Sequence, residues 1–333
     1  TYTLLTTVAA AAVGMLLYRF IAPDNLPLDA IQGDTGIDSV KQELGDASYM
    51  DYIIGIVPDN VLRPLVEGNV LSLLLIAVAV GIALARMPET DSKRTLMNGL
   101  NGLQNLVSTL IHWLIDILPI GIIAFAAQLS AEITAGTVVT SIGKYVAVIL
   151  GGNLLQFCVV LPLFLMARGL NPIRVARAMT PAVLMALFTK SSAATLPVTI
   201  QSAEERLGVA SRVARFVLPI CTTINMNGCA AFIFVTSLFV MQNGGVEITW
   251  GTMIMWLFIS VVAAIGNAGV PMGCYFLTLS LMSGVGAPIA IMGIILPVFT
   301  VLDMIETAEN VWSDSCVAAM TDRDIRNASQ RQA

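Results

Sequence analysis

The stretch at residues 302–314, LDMIETAENVWSD, places charged and polar side chains at the end of a long apolar run. In a helix, four of these side chains share one face and form a polar stripe, with Glu306 beside them. Glu309 falls off this stripe by helical angle, and the sequence offers no explanation for it other than a water-filled interface. Charges within a membrane-length segment are costly and usually functional, so the stripe predicts water, ions or a polar ligand in front of it. Its four members are Asp303, Thr307, Asn310 and Asp314.

The composition places the rest of the chain in a membrane. Hydrophobic residues make up 56% of the 333 residues and charged residues 12%, whereas the charged share of a soluble domain is about 25%. The mean hydropathy is +0.83. The apolar runs are long and lack the alternation of a transmembrane barrel, so we expect an all-α polytopic membrane protein whose surroundings are a lipid bilayer.

The sequence lacks the patterns of common enzymes and cofactor sites. The five cysteines have no paired spacing, and the single histidine, His112, precedes Trp113 as in an interfacial aromatic pair. No nucleophile has a base at catalytic spacing, and there is no metal-ligand cluster or phosphate loop. Neither an enzymatic activity, a resident cofactor nor a nucleic-acid partner is therefore expected.

Two segments read as helical hairpins that enter and leave on one side of the membrane. Residues 171–203 form two short apolar halves separated by TKSSAATLP at 189–197, and residues 249–283 form two halves divided by GNAGVPMG at 266–273. Such halves are too short to cross about 30 Å of hydrocarbon. Each hairpin therefore predicts a tip of non-helical backbone at membrane depth.

A broken span lies between the hairpins, and the polar span follows them. Residues 207–241 are long enough to cross, but TTINMNG at 222–228 interrupts them, and the last helix is expected at 287–318. The order is therefore hairpin, broken span, hairpin, polar span. Secondary transporters use inverted repeats of this kind to place substrate and ion sites near the midplane, where broken helices expose amides and carbonyls.

Basic residues orient the chain across the bilayer. They cluster at 86–94, 168–177, 206–215 and 323–331, which the positive-inside rule assigns to the cytoplasm, and the acidic segment 24–51 then lies outside. The first hairpin opens from the cytoplasm and the second from outside. Their tips are therefore expected to face each other.

These motifs resemble those of a known family, the dicarboxylate/amino acid:cation symporters or glutamate transporters. The carriers of the resemblance are SSAATLP at 191–197, NMNG at 225–228, GNAGVP at 266–271 and the last-helix stripe. The last-helix motif is closest to the bacterial serine/threonine:sodium symporter branch. The resemblance implies a glutamate-transporter-like fold, a homotrimer, an elevator mechanism, and a multi-pass protein of the bacterial inner (plasma) membrane.

The resemblance also implies a division of the chain. Residues 1–22 would correspond to the third helix of the family and belong to a transport domain, with two earlier helices lacking from this sequence. Residues 23–132 would be an extracellular loop and scaffold helices. Residues 133–319 would be the main transport domain, and residues 320–333 a cytoplasmic tail.

Substrate-binding residues follow from the resemblance by position. Asp303 and Thr307 would hold the amino group of an amino acid and Asn310 its α-carboxylate, helped by backbone amides at the two hairpin tips. The full implied set is Ser191, Ser192, Cys229, Val270, Cys274, Asp303, Glu306, Thr307 and Asn310.

Sodium is the implied coupled ion. One site would combine Asp314 with backbone carbonyls of Cys221, Asn225 and Asn310. A second would use carbonyls of Thr223, Ala264, Ile265 and Asn267 and assemble as the outer hairpin closes. A third would draw on Thr6, Thr7, Asn225 and Asn227.

Two departures from the family pattern bear on function. Asn227 stands where the family usually has an aspartate, so we expect weak or absent sodium binding at the third site. Glu306 stands where members that carry acidic substrates have an arginine, which pairs with the substrate carboxylate. A glutamate would repel that carboxylate in a poorly screened site, so acidic amino acids and dicarboxylates are disfavoured.

Small neutral amino acids of the serine, threonine and alanine type are therefore the expected substrates. A cationic amino acid or a proton site at Glu306 are alternatives, as is an acidic substrate of the same family. Lys190 either neutralises Glu306 or Asp303 or faces solvent at a cytoplasmic entrance. An ion channel is the main alternative outside carriers, but the asymmetric hairpins lack the symmetric charge rings or carbonyl filters of a pore.

Overall fold

The computed structural model describes residues 1–26, 57–67, 70–134, 139–267 and 269–332. Every regular element in these ranges is helical, which confirms the all-α class. Most of the acidic segment predicted at 24–51 lies outside the described residues.

Thirteen α-helices are numbered here in chain order over those ranges. Two short π-helical turns, Gln156–Val160 and Ser202–Leu207, follow α5 and α8 without a break in the chain's helical course. The α-helices are α1 (Tyr2–Ile21), α2 (Arg63–Glu67), α3 (Val70–Arg86), α4 (Asp91–Thr134), α5 (Val139–Leu155), α6 (Leu161–Ala167), α7 (Pro172–Thr189), α8 (Ser192–Gln201), α9 (Ser211–Ile224), α10 (Asn227–Asn243), α11 (Trp250–Ile265), α12 (Gly273–Gly284) and α13 (Ala290–Gln332).

Four helical stretches in the described ranges are long and apolar enough to cross a membrane. They are Tyr2–Ile21, Ser141–Ala167, Ser211–Asn243 and Ala290–Gln330. The third of these contains the predicted broken span, and the fourth contains the polar stripe. Shorter apolar helices lie at Leu75–Arg86 and Trp250–Ile265.

The predicted first hairpin is a pair of helices, α7 and α8, that pack against each other. Asn171 caps α7, because its side chain accepts hydrogen bonds from the backbone amides of Ile173 and Arg174. The helix ends at Lys190, which is left-handed with φ 53°. The Ser191 hydroxyl then caps α8 by accepting from the amide of Ala194 at 3.2 Å. The tip therefore consists of Lys190, which ends α7, and Ser191, which caps α8.

The second predicted hairpin consists of α11 and α12, which both pack against α10. The chain between them, at 266–272, holds Gly269 at φ 65° and Met272 at φ 61°. Left-handed backbone of this kind is what the glycine-rich GNAG sequence permits. The break thus falls where the sequence predicts it.

The broken span is the centre of the molecule. Helix α9 ends at Ile224 and α10 begins at Asn227, so the interruption is confined to Asn225 and Met226. Helix α10 is buried on nearly every side and packs against α1, α5, α11, α12 and α13. Phe232 in α10 packs against Phe299 of α13, with ring centroids 4.5 Å apart and the ring planes tilted by 50°. The last helix therefore runs beside the break.

Two apolar clusters lie on either side of the polar stripe. The first joins α1, α5, α10, α11 and α12 to the start of α13 as far as Leu302. The second joins α6, α7 and α9 to α13 from Val311 onward. The polar residues at 303–310 are therefore set between two cores, where they have little access to water.

The last helix is longer than the sequence predicts. It was expected to end at 318 with a tail at 320–333, but α13 continues to Gln332. Arg326 pairs with Asp322 at 2.7 Å one turn earlier, and it also donates to the carbonyl of Gly208 at 2.6 Å. Asp322 accepts from the amide of Ala210 at 3.1 Å. These contacts hold the expected tail as helix.

Replacing the α7 cap tests its contribution to stability. We expect Asn171→Ala to lower the free energy of unfolding by about 1 kcal/mol, because two backbone amides lose their acceptor. Asn327→Ala, an exposed change inside α13, is the matched control and should leave stability unchanged or slightly raised. Thermal unfolding in detergent measures both. Equal midpoints for the two variants would contradict the capping role.

Candidate functional site

The predicted polar stripe is buried. Asp303, Glu306, Asn310 and Asp314 are each at most 2% exposed, and Thr307 is 5% exposed. The helical spacing therefore brings these side chains to one face of α13, and the rest of the protein covers that face. Their hydrogen bonds reach three different neighbours: the second tip, the start of α10 and the break between α9 and α10.

The two tips touch each other. The Ser191 hydroxyl donates to the carbonyl of Gly269 at 2.9 Å, and the amide of Ala193 donates to the same oxygen at 3.4 Å. A Cβ on Gly269 would come within 3.0 Å of the Thr222 carbonyl, so the second tip also lies against the broken span. The prediction that the tips face each other agrees with this contact.

Asp303 and Lys190 lie near the tips. One oxygen of Asp303 accepts from the backbone amide of Met272 at 3.1 Å, which ties α13 to the second tip. Thr307 donates its hydroxyl to the Asp303 carbonyl at 2.7 Å. Lys190 lies at the first tip and is partly exposed.

Two cysteines line the space in front of Glu306. Cys229 of α10 and Cys274 of α12 have their sulfur atoms 3.2 Å apart, and the Cys274 thiol donates to one oxygen of Glu306 at 3.3 Å. The Asn267 and Asn310 amides both donate to the Cys229 sulfur, at 2.9 and 3.3 Å. This corner offers two soft sulfur atoms, so sodium, which takes oxygen ligands, would bind elsewhere.

The other oxygen of Glu306 is buried and receives no hydrogen bond from the described residues. Glu306 itself is 1% exposed. Nor does a lysine or arginine of the described ranges form an ion pair with it. The pocket between the tips and α13 therefore holds a carboxylate oxygen that can still accept a bond.

Apart from Asn310, the residues of the first and third implied sodium sites form one hydrogen-bonded group. Asn225, in the break, donates to Asp314 at 2.8 Å and accepts from the Thr6 hydroxyl at 3.0 Å. Asn227 accepts from the Thr7 hydroxyl at 2.8 Å. The break thus brings α1 and α13 into contact through polar groups, with Cys221 accepting from the Asn225 amide at 2.8 Å.

Ser313 links the two asparagines, and the sequence reasoning missed it. Its hydroxyl oxygen accepts from Asn225 at 3.0 Å and from Asn227 at 2.7 Å. Its signal was a small polar residue beside Asp314, three positions after Asn310. An aspartate at 227 could not donate to Ser313, so the asparagine uses its amide nitrogen where a charged ligand would stand.

The second implied sodium site draws on helix ends. Thr223 lies in the last turn of α9, and Ala264 and Ile265 close α11. The last carbonyls of a helix lack partners within it and can bind a cation. Helices α9 and α11 contact each other, and the amide of Asn267 donates to Ala264 at 3.1 Å. The structure therefore brings the two helices that carry these carbonyls into contact.

The amides implied for the substrate carboxylate lie at the tips. Ser192 is the first residue of α8, where helical amides have no partner within the helix. Val270 lies in the turn before α12 and accepts from the amide of Gly273 at 3.2 Å. The oxygen of the Asn310 side chain accepts from Gly228 at 2.9 Å, so in this arrangement Asn310 fixes the start of α10.

Comparison with known proteins bears on the kind of site this is. The profile of the family described as "Sodium:dicarboxylate symporter family" matches residues 1–324. The chain belongs to this family. The resemblance drawn from its motifs is thereby confirmed, and the protein is a member of a transporter family rather than of an enzyme family.

Individual relatives of this symporter family member fall into two substrate classes. The chain is 33% identical to excitatory amino acid transporter 3 of Mus musculus over 265 residues, 79% of the chain and 49% of the relative. It is 34% identical to the putative sodium-dependent excitatory amino acid transporter glt-4 of Caenorhabditis elegans over 258 residues, 77% of the chain and 51% of the relative. It is 32% identical to neutral amino acid transporter B(0) of Oryctolagus cuniculus over 267 residues, 79% of the chain and 49% of the relative. The chain thus spans about half the length of these relatives.

The substrate class of this family member therefore depends on its own buried polar residues. Identity to relatives named for excitatory amino acids and to one named for neutral amino acids is almost the same. The buried carboxylate of Glu306, which accepts from the Cys274 thiol, carries more information about the substrate than overall identity does.

Removing the Ser313 link tests the buried polar group. We expect Ser313→Ala to destabilise the protein by about 1–3 kcal/mol, because two buried asparagine amides lose their shared acceptor. Ser329→Ala, an exposed change on the same helix, is the control. Thermal unfolding at fixed sodium concentration is the measurement. A midpoint unchanged in Ser313→Ala would show that the link contributes nothing.

Proposed function

We propose that this protein is a sodium-coupled symporter that imports a small neutral amino acid of the serine, threonine and alanine type. The observation that carries the proposal is Glu306, buried in the pocket with one oxygen bonded to the Cys274 thiol and the other unpaired. Family membership supports sodium coupling. The buried and partly unpaired carboxylate of Glu306 supports a small neutral substrate.

Electrostatics disfavour an acidic substrate. A second carboxylate beside Glu306 would be repelled in a site that water screens poorly, and an uncompensated charge there costs several kcal/mol, on the order of ~3–5. Recognition of a side-chain carboxylate needs a guanidinium in a two-pronged match. The described pocket residues include no arginine.

The unpaired oxygen of Glu306 favours a substrate that donates a hydrogen bond. A serine or threonine hydroxyl would supply such a donor. Asp303 would bind the amino group. The amides at Ser192 and Val270, with Asn310, would bind the α-carboxylate.

Sodium binding would hold the same elements in place. We assign one ion to Asp314 with carbonyls of Cys221, Asn225 and Asn310, and a second to the ends of α9 and α11. The contact between α9 and α11 supports the second assignment. The third set, around Asn227, would bind sodium weakly because it contains no charged ligand.

We propose that transport proceeds by an elevator mechanism in a homotrimer of the bacterial inner membrane. The transport domain, built from α1 and the elements from α5 to α13, would move as a unit against the scaffold helices. The two re-entrant tips, which touch through Ser191 and Gly269, would be its inner and outer gates.

A cationic amino acid is the second candidate substrate, and the same observation favours it. A lysine or arginine side chain would neutralise Glu306 directly. The thiols of Cys229 and Cys274 limit the space for a long side chain, which is why the neutral substrate ranks first.

Uptake by reconstituted protein tests the substrate class. With an inward sodium gradient and labelled serine, we expect threonine, alanine and cysteine to compete strongly, and aspartate, glutamate, lysine and succinate weakly. Strong competition by aspartate would contradict the assignment. Competition by lysine alone would favour the cationic candidate, and uptake that neither saturates nor needs sodium would favour a channel.

Reversing the charge at 306 tests its role directly. We expect Glu306→Arg to lose serine uptake by at least about 10-fold and to gain affinity for aspartate, because a guanidinium pairs with its side-chain carboxylate. The control is Glu205→Arg, since Glu205 is exposed and lies outside the pocket. Competition binding to purified protein is the readout. An unchanged preference in Glu306→Arg would remove this residue from substrate selection.

Neutralising Asp314 tests the first sodium site. Asp314→Asn keeps the side-chain shape but removes the charged ligand, so the sodium concentration for half-maximal uptake should rise by at least about 10-fold. Asp322→Asn, on the same helix but bonded to Ala210 and Arg326, is the control. Unchanged sodium dependence in Asp314→Asn would exclude the residue from the ion site.

A further inference from the structure

Glu309 lies off the polar stripe, yet it is the least satisfied charged group of the described chain. Its side chain is 1% exposed. Neither of its carboxylate oxygens receives a hydrogen bond from any described residue. A carboxylate in that position is costly unless a cation or several donors compensate it.

A second unpaired oxygen lies next to it. A Cβ placed on Gly228 would be 2.9 Å from one Glu309 oxygen and 3.0 Å from the side-chain oxygen of Asn153. Asn153 is 2% exposed, and its oxygen also has no donor among the described residues. Its amide nitrogen donates to the Ile149 carbonyl at 2.8 Å, which turns the oxygen toward Gly228.

Gly228 leaves the space that the two oxygens share. Any larger residue would place its Cβ against both atoms. This glycine has no positive φ in the structure, so backbone conformation does not require it there. Its lack of a side chain instead lets α10 approach α13 closely and keeps a small oxygen-lined gap between them.

The helix that carries Asn153 widens at the same level. Residues Gln156–Val160 form a π-helical turn, a feature frequent at functional sites. Gln156 is 1% exposed, its amide nitrogen donates to the Thr6 carbonyl at 3.0 Å, and its oxygen is another buried atom without a donor. The Trp312 indole donates to the Phe157 carbonyl at 3.1 Å and holds this turn against α13.

The charges around Glu309 increase the need for a cation. Glu306 and Asp314 are carboxylates on the same helix and are themselves buried. No lysine, arginine or histidine of the described ranges bonds to Glu309. Three buried carboxylates within nine positions, 306 to 314, repel one another in a medium of low dielectric constant.

We propose that Glu309 and the Asn153 side-chain oxygen form an additional sodium site between α5, α10 and α13. Carboxylate and amide oxygens are the hard ligands that such a cation prefers. The space beside Gly228 is small, which favours sodium over potassium. The site differs from the one at Asp314, because Glu309 and Asp314 are five positions apart and therefore lie on different faces of α13.

Sodium-dependent stability of the purified protein tests this site without any substrate. An ion that binds only the folded state stabilises it in proportion to the logarithm of its concentration, so the slope of the unfolding temperature against log sodium reports the number of sites. Sodium chloride is varied against choline chloride at constant ionic strength. The proteins are the wild type, Glu309→Gln, Asn153→Leu and the exposed control Glu205→Gln.

We expect both site variants to show a shallower sodium slope than the wild type and the control. In choline, Glu309→Gln should unfold at a higher temperature than the wild type, because it lacks the uncompensated charge. Binding of radioactive sodium at saturation should fall by one ion per protomer in Glu309→Gln.

Identical sodium slopes in Glu309→Gln and the wild type would overturn the site. A stability gap between them that follows pH and not sodium would also overturn it and assign Glu309 a proton instead. An equal response to potassium would overturn the choice of sodium. Failure of the serine assignment would leave these slopes unaffected, so the two proposals fail separately.

Discussion

The burial of four carboxylates in one stretch of α13 is the constraint on which the rest of the structure depends. Asp303, Glu306, Glu309 and Asp314 are each at most 2% exposed, between two apolar clusters. Apolar surroundings do not stabilise these charges, so each carboxyl is either protonated or compensated by a donor, a cation or a bound ligand. Two of the helix interruptions lie beside these carboxylates and donate hydrogen bonds to them.

Each interruption serves one part of the stripe. The second tip brings the Met272 amide to Asp303, and the break in the central span brings Asn225 to Asp314. Glu306 meets only a thiol, and Glu309 meets no donor among the described residues. Asp303 and Asp314 thus accept hydrogen bonds from the protein itself. Glu306 and Glu309 instead keep carboxylate oxygens free to bind a ligand or a cation.

Much of this arrangement could be predicted from the sequence, because the cues were local. Glycine, serine and asparagine clusters marked the breaks at 190–191, 225–226 and 266–272, and helical spacing marked the stripe. Asn153, Gln156 and Ser313 could not be found in this way, since single polar residues in apolar helices reveal their role only through tertiary packing. The extension of α13 to Gln332 likewise depends on contacts with Ala210 and Gly208, distant in sequence.

We propose that cations and a substrate amino acid together compensate the buried carboxylates, so that the amino acid binds well only when sodium is present. Calorimetric titration of serine into purified protein, in sodium chloride and in choline chloride, tests this most directly. We expect the serine affinity to rise steeply with sodium concentration and to be lost in choline. Equal serine affinity in the two salts would contradict it.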